Sequence, residues 1–333
     1  MSQNDSTLRG FPLIRLRRLR RNKAIRDLLQ EIRLSVKDFV YPIIIQQNDT
    51  SLEIPSMPGF RRVPLKNVSL EVDRYYEMGL RSFILFGLPS VKDNMGANAH
   101  SKKGIIQKSL KLLRDNFSEN IVLMTDVCLC QYTEHGHCGI IKDKVVNNDC
   151  SLHVLNKIAI SHAEQGADFV APSAMMDGQV KSIRLALDAA GYQQIGIMGY
   201  SAKMSSNLYT PFRDAAQSVP YFGDRKSYQM SYSNSNEAMQ EIGLDTQEGS
   251  DILIIKPTIP YLDLLYKAKK ETHIPICAYS VSGEYSMIKA AAIEGWINED
   301  DLILEFTTSI KRAGADIIIT YHAKRLAELL LGN

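Results

Sequence analysis

Residues 121–139 read IVLMTDVCLCQYTEHGHCG: an apolar run, Ile121 to Met124, leads through Asp126 into a polar loop carrying Cys128, Cys130 and Cys138. So short an apolar run fits a strand buried on both faces better than a helix. The strand therefore delivers an acid and three thiols to its carboxyl end. The even step within C-x-C puts both sulfurs on one face of an extended chain, and Cys138 can fold back as a third ligand. Three thiolates suit zinc, and three protein ligands leave one position for water or substrate, as in a catalytic site. His135 and His137 are candidates for the fourth ligand. The plain alternative is that these thiols are small buried apolar groups. Three of them within residues 128–138, beside an acid and two histidines, favour the metal.

Working outward, the same kind of run recurs eight times: FVYPIII (39–45), SFILFG (82–87), IVLMTD (121–126), DFVAPS (168–173), IGIMGYS (195–201), DILIIKP (251–257), IPICAYS (274–280) and ADIIITY (315–321). Amphipathic stretches such as SLEVDRYYEMG, SLHVLNKIAISHAEQG, GQVKSIRLALDAAG, NEAMQEIGLD and YLDLLYKAKKE alternate with them and end near glycine or polar residues. A repeated βα unit implies a parallel sheet covered on both faces. Eight units predict a closed (β/α)8 TIM barrel over residues 37–333. A doubly wound open sheet is the competing fold, and no glycine fingerprint follows the first run to support it.

Ahead of the barrel, residues 1–36 form a basic N-terminal arm. Arg9, Arg15, Arg17, Arg18, Arg20, Arg21, Lys23 and Arg26 interleave there with Phe11, Leu13, Ile14, Leu16 and Leu19. The apolar residues favour docking on another subunit over a nucleic-acid arm. Across all 333 residues the net charge is only +2, which gives no general affinity for nucleic acid or membranes. Five cysteines, three of them clustered, fit a reduced compartment better than a disulfide framework. With no membrane-length apolar stretch and no signal-peptide core, the expectation is a soluble, cytoplasmic protein.

In a barrel of this kind, chemistry belongs at the carboxyl ends of the strands. The polar residues there are Asp126 with its cysteines, Ser173, Lys203, Lys256, Ser282 and Tyr321. Lys203 and Lys256 close consecutive strands, so their amines can share one cavity. Desolvation and a neighbouring ammonium each lower a lysine pKa, freeing a neutral amine to attack a carbonyl. The long connection after Lys203, residues 205–230, has the length and composition of a lid. Its Arg213 and Arg225 are suited to clamping carboxylates. A class I aldolase would need one lysine and no metal. A zinc-containing nucleic-acid module would leave both lysines without a purpose.

In order along the chain, RLRRLRRNKAIRDL, SMPGF, LFGLPSVKD, DVCLCQYTEHGHCG, APSAMMDG, YSAK, PFRDAA, GDRKSYQM, KPTIPYLD, YSVSGEYSM and GADIIITY resemble the motifs of the porphobilinogen synthase, or δ-aminolaevulinate dehydratase, family. The resemblance covers nearly the whole chain. It implies condensation of two molecules of 5-aminolaevulinate to porphobilinogen with loss of two waters, in tetrapyrrole and heme synthesis. It further implies Schiff bases on Lys256 and Lys203. Ser282 and Tyr321 would hold one substrate carboxylate, and Arg213, Arg225 and Gln229 the other. Zinc would sit on Cys128, Cys130 and Cys138, with Asp126, Ser173 and Tyr209 close to the chemistry. The implied assembly is a homo-octamer whose arms wrap partner barrels. The family's P-S-D-M-M-D-G-R reads PSAMMDGQ here, so Ala174 and Gln179 replace two side chains that in some members communicate with an allosteric magnesium. The glutamate that would hold that magnesium, Glu241, is retained.

Overall fold

The computed structural model describes residues 13–332, and Arg9 and Phe11 of the arm lie outside them. The described chain divides after Arg33. In the arm, a 3-10 turn (Leu16–Arg20) precedes a short helix (Lys23–Leu28), whose first turn is capped where Asn22 Oδ1 accepts from Ile25 N at 3.0 Å. Leu13, Ile14, Leu16 and Leu19 are exposed.

From Leu34 onward the chain is a barrel. Its eight parallel strands are β1 (Phe39–Gln46), β2 (Ser82–Leu88), β3 (Val122–Val127), β4 (Phe169–Pro172), β5 (Gly196–Lys203), β6 (Ile252–Lys256), β7 (Ile276–Ser280) and β8 (Ile317–Thr320). Each pairs with the next, and β8 returns to β1 through Phe39↔Ile318 and Val40↔Ile319. That closure removes the open-sheet alternative. All eight residues of β1 and all five of β6 are buried, so the apolar runs follow from cover on both faces.

Helices including Val68–Glu77, Ile105–Phe117, Asn148–Glu164, Gln179–Ala189, Ser235–Glu248, Leu262–Glu271, Glu299–Ala313 and Ala323–Leu331 surround the strands. Asn147 and Asn298 cap two of them by accepting from backbone N–H groups of the first turn. A further helix, Ser282–Ile293, follows β7 at the carboxyl end of the barrel. Among the described residues no helix is long and apolar enough to cross a membrane.

Candidate active site and metal centre

Strand register decides the first feature of the site. Lys203 ends β5, Lys256 ends β6, and the two are Cα partners across the pair. Both side chains are buried, at 6 % exposure. Their amines share the Tyr200 ring as a wall, with Nζ to centroid distances of 5.5 Å for Lys203 and 5.3 Å for Lys256. Lys256 is further enclosed by Tyr279, Tyr209 and Phe212, at 4.0, 5.3 and 5.4 Å. Burial, and then the neighbouring Lys203, pulls the Lys256 amine from the ordinary lysine range down to about 7. Lys203 is held differently: its Nζ donates to the Ser173 carbonyl at 2.6 Å.

Both lysines line one cavity with Asp126, Ser173, Tyr209, Arg213 and Arg225. Burial raises the Asp126 carboxyl above its usual range, against hydrogen bonding and the two nearby ammonium groups. A larger cleft beside β8, lined by Tyr41, Glu71 and Arg325, contains neither lysine and none of the cysteines.

Cys128, Cys130 and Cys138 are buried as free thiols with all sulfurs within 4.8 Å of one another, and the Cys128 and Cys130 sulfurs are 3.5 Å apart. Sulfurs about 2.3 Å from a tetrahedral zinc stand roughly 3.8 Å apart, so the cluster fits that ion. Hydrogen bonds from Cys128 and Cys130 hold the Cys138 thiol well below the ordinary cysteine range, which favours a thiolate there.

Neither histidine joins the cluster, which corrects the expectation of a fourth histidine ligand. The His137 ring is engaged by Tyr228 Oη at 3.0 Å and the Phe222 carbonyl at 2.9 Å, and His135 Nδ1 accepts from His137 N at 3.1 Å. The cysteine loop serves the lid instead. Tyr221 N donates to the His135 carbonyl at 3.0 Å, and Arg225 Nη2 to the Gly136 carbonyl at 2.9 Å. Gly136 has φ +70°, and a Cβ there would stand 2.4 Å from the Val219 carbonyl oxygen, so the close approach of loop and lid requires glycine.

The lid is pinned at its base, where Met230 N donates to the Lys203 carbonyl at 3.2 Å. It closes on β2 through Phe212, whose ring meets Phe86 edge-on at 5.1 Å. Arg213 and Arg225 have no carboxylate partner among the described residues, and the Nε of each is buried without a hydrogen bond. Burial, and then the charge of Arg225, lowers the Arg213 pKa, whereas for Arg225 burial is outweighed by the Cys138 and Cys130 sulfurs beside it, which raise its own.

Ser282, Tyr321 and Gln229 do not line this cavity, and Tyr321 lines the larger cleft with Tyr41 and Glu71. Ser282 Oγ accepts from Phe212 N at 3.0 Å and donates to the Leu208 carbonyl at 3.2 Å, tying the helix after β7 to the lid. Tyr321 Oη meets Tyr279 Oη at 3.2 Å. Gln229 is buried with both amide atoms unpartnered. It borders a separate cleft shared with Asp177, Glu237 and Glu241. Burial, followed by the charges of Asp245, Asp177, Glu248 and Glu237, raises Glu241 to about 7. Ala174 is fully buried. The Gln179 amide is spent inside the β4 loop, donating to the Pro172 carbonyl at 3.2 Å and accepting from Met176 N at 3.3 Å.

Phe86, Tyr200, Tyr279 and Gln131 also belong to the site and carry no distinctive sequence signal. The aromatic residues sit in apolar runs that report only burial, and Gln131 stands among stronger candidates.

A closed barrel with two buried lysines, an acid and a thiol cluster at one mouth defines an enzyme of carbonyl chemistry. The family description "Delta-aminolevulinic acid dehydratase" matches residues 13–329. A protein of that name from Archaeoglobus fulgidus is 52% identical over 321 residues, covering 96% of this chain and 99% of its own. One from Bacillus subtilis is 50% identical over 317 residues, covering 95% and 98%. The crystal structure of delta-aminolevulinic acid dehydratase (porphobilinogen synthase) from Toxoplasma gondii ME49, in complex with the reaction product porphobilinogen, superposes with a TM-score of 0.94. It is 40% identical and covers 96% of this chain and 92% of its own. The chain belongs to the delta-aminolevulinic acid dehydratase family, lyases of porphyrin biosynthesis that form porphobilinogen.

Proposed function

We propose that Lys256 and Lys203 each form an imine with one molecule of 5-aminolaevulinate, and that the two bound molecules condense to porphobilinogen with loss of two waters. The observation that carries this reading is the register: the lysines are Cα partners on adjacent strands and open into one cavity. An amine titrating near 7 is substantially neutral at neutral pH, so Lys256 can add to a ketone without prior loss of a proton. Lys203 takes the second ketone beside the cysteine cluster. Asp126 is the group that moves protons between substrate carbon and nitrogen.

Arg213, Arg225 and Gln229 bind the carboxylate of the second substrate. The buried Nε groups of both arginines, left without a hydrogen bond, support this assignment. Ser282 and Tyr321 bind that of the first, for which the Ser282 hydroxyl turns its proton from the Leu208 carbonyl to the substrate, and Ser173 and Tyr209 hydrogen-bond close to the reacting atoms. The resident ion is zinc on Cys128, Cys130 and Cys138, where it supplies Lewis acidity toward a substrate amine or carbonyl. We assign Glu241 to a regulatory magnesium ion; the acids surrounding it support this. The assembly is a homo-octamer acting in the cytoplasm; the exposed leucines and isoleucine of the arm support its subunits being held by arm contacts.

Borohydride reduction in the presence of 5-aminolaevulinate, followed by peptide mapping, tests the assignment. Label on Lys203 and Lys256 is expected, and a folded protein labelled at neither would overturn it.

The pH profile is a second test. The lysine pKa is depressed, so the reactive neutral amine prevails above about pH 7 and is lost as pH falls through that value. The kcat/KM profile, which reports the free enzyme, should therefore lose about tenfold per unit below an acid limb near pH 7. A flat profile down to pH 5 would contradict this.

A further inference from the structure

Gln131 lies on the wall of the lysine cavity and is 2 % exposed. Its Nε2 donates to Asp126 Oδ2 at 3.2 Å, which directs the amide oxygen away from that carboxylate atom. This oxygen, Oε1, is buried with no hydrogen-bond partner among the described residues, and Asp126 Oδ1 makes no hydrogen bond of ordinary geometry, although the Ser173 hydroxyl stands near enough to the carboxylate to lower its pKa against the rise from burial. Buried acceptors are normally satisfied, and a linked pair left open in one cavity calls for a donor. The same cavity also presents unpartnered donors, Arg213 Nε and Arg225 Nε. Its polar groups thus ask for a ligand with N–H groups for the acceptors and a carboxylate for the guanidiniums, while the lysines take a ketone.

We propose that Gln131 is a substrate-binding residue whose amide oxygen accepts an N–H from the amino group of 5-aminolaevulinate, with Asp126 Oδ1 accepting a second. The inference rests on the lysine reading and deepens it. A carboxamide suits the task because it accepts from an amine without adding a second negative charge beside Asp126. Its own N–H group keeps the carboxylate turned toward the same ligand.

The test compares 5-aminolaevulinate with 4-oxopentanoate, the same keto acid with hydrogen in place of the amino group. Both are trapped by borohydride over a concentration range, on the wild type and on Gln131→Leu. Gln131→Met, which keeps the side chain's length, stands in should the leucine variant melt early. The variant should need about tenfold more 5-aminolaevulinate or beyond for half-maximal trapping, since a hydrogen bond to a charged group is lost. Its concentration dependence for 4-oxopentanoate should stay within about twofold of the wild type. Equal weakening of both ligands would make Gln131 a mere shaper of the cavity and overturn the proposal, as would no weakening of either. Absence of trapping on the wild type would instead overturn the lysine assignments beneath it.

Discussion

Replacing Lys256 by methionine is expected to lower kcat by at least about 10⁴-fold while leaving the melting temperature unchanged or raised. Loss of a covalent nucleophile costs on this scale because the remaining groups only bind and polarise. The side chain is almost wholly buried and ringed by Tyr279, Tyr209, Tyr200 and Phe212. Methionine fills the volume of the aliphatic stem and removes a charged form that burial disfavours, so packing has no reason to suffer. Porphobilinogen formation and thermal melting measured on one preparation decide the matter. A folded variant within tenfold of wild-type turnover would remove Lys256 from the chemistry.

The second large effect concerns the three thiols. Stripping the protein with a chelator should lower activity by about 10²-fold or more, the cost of removing one charge-stabilising element from a closed site. Added zinc should restore it. The sulfurs are buried within 4.8 Å of one another, so an ion there replaces three mutually crowding thiols with one shared charge. Exchanging both Cys128 and Cys130 for alanine should abolish metal retention and make the loss permanent, read as bound zinc per chain alongside activity. Activity indifferent to both the chelator and the double substitution would exclude a role for the ion in turnover.

Much of this was legible without coordinates because barrel strands carry their burial in sequence. Parallel strands covered on both faces read as unbroken apolar runs, and all eight strands lie where those runs lie. The cysteine loop was legible for a similar reason. Its ligands are close in the chain, so spacing alone places two sulfurs on one face. The strand-end lysines stood out because a charged residue closing an apolar run is costly to bury and therefore conspicuous.

Other features depend on groups far apart in the chain. Nothing near His137 tells that its ring is held by Phe222 and Tyr228, 85 and 91 residues away, which is why it reads as a metal ligand until the lid is in place. Ser282 likewise reads as a free hydroxyl, yet Phe212 and Leu208 occupy it across 70 and 74 residues. The Gln131 oxygen becomes meaningful only once Asp126 has taken up the amide nitrogen and the barrel has excluded water from both. Local periodicity and spacing are enough to specify the barrel, the two lysines and the thiol cluster. Tertiary structure alone decided that the lysines stand in register, that the histidines serve the lid, and which polar atoms remain open to a ligand. Those outcomes are long-range contacts, and no local pattern encodes the partner at the other end.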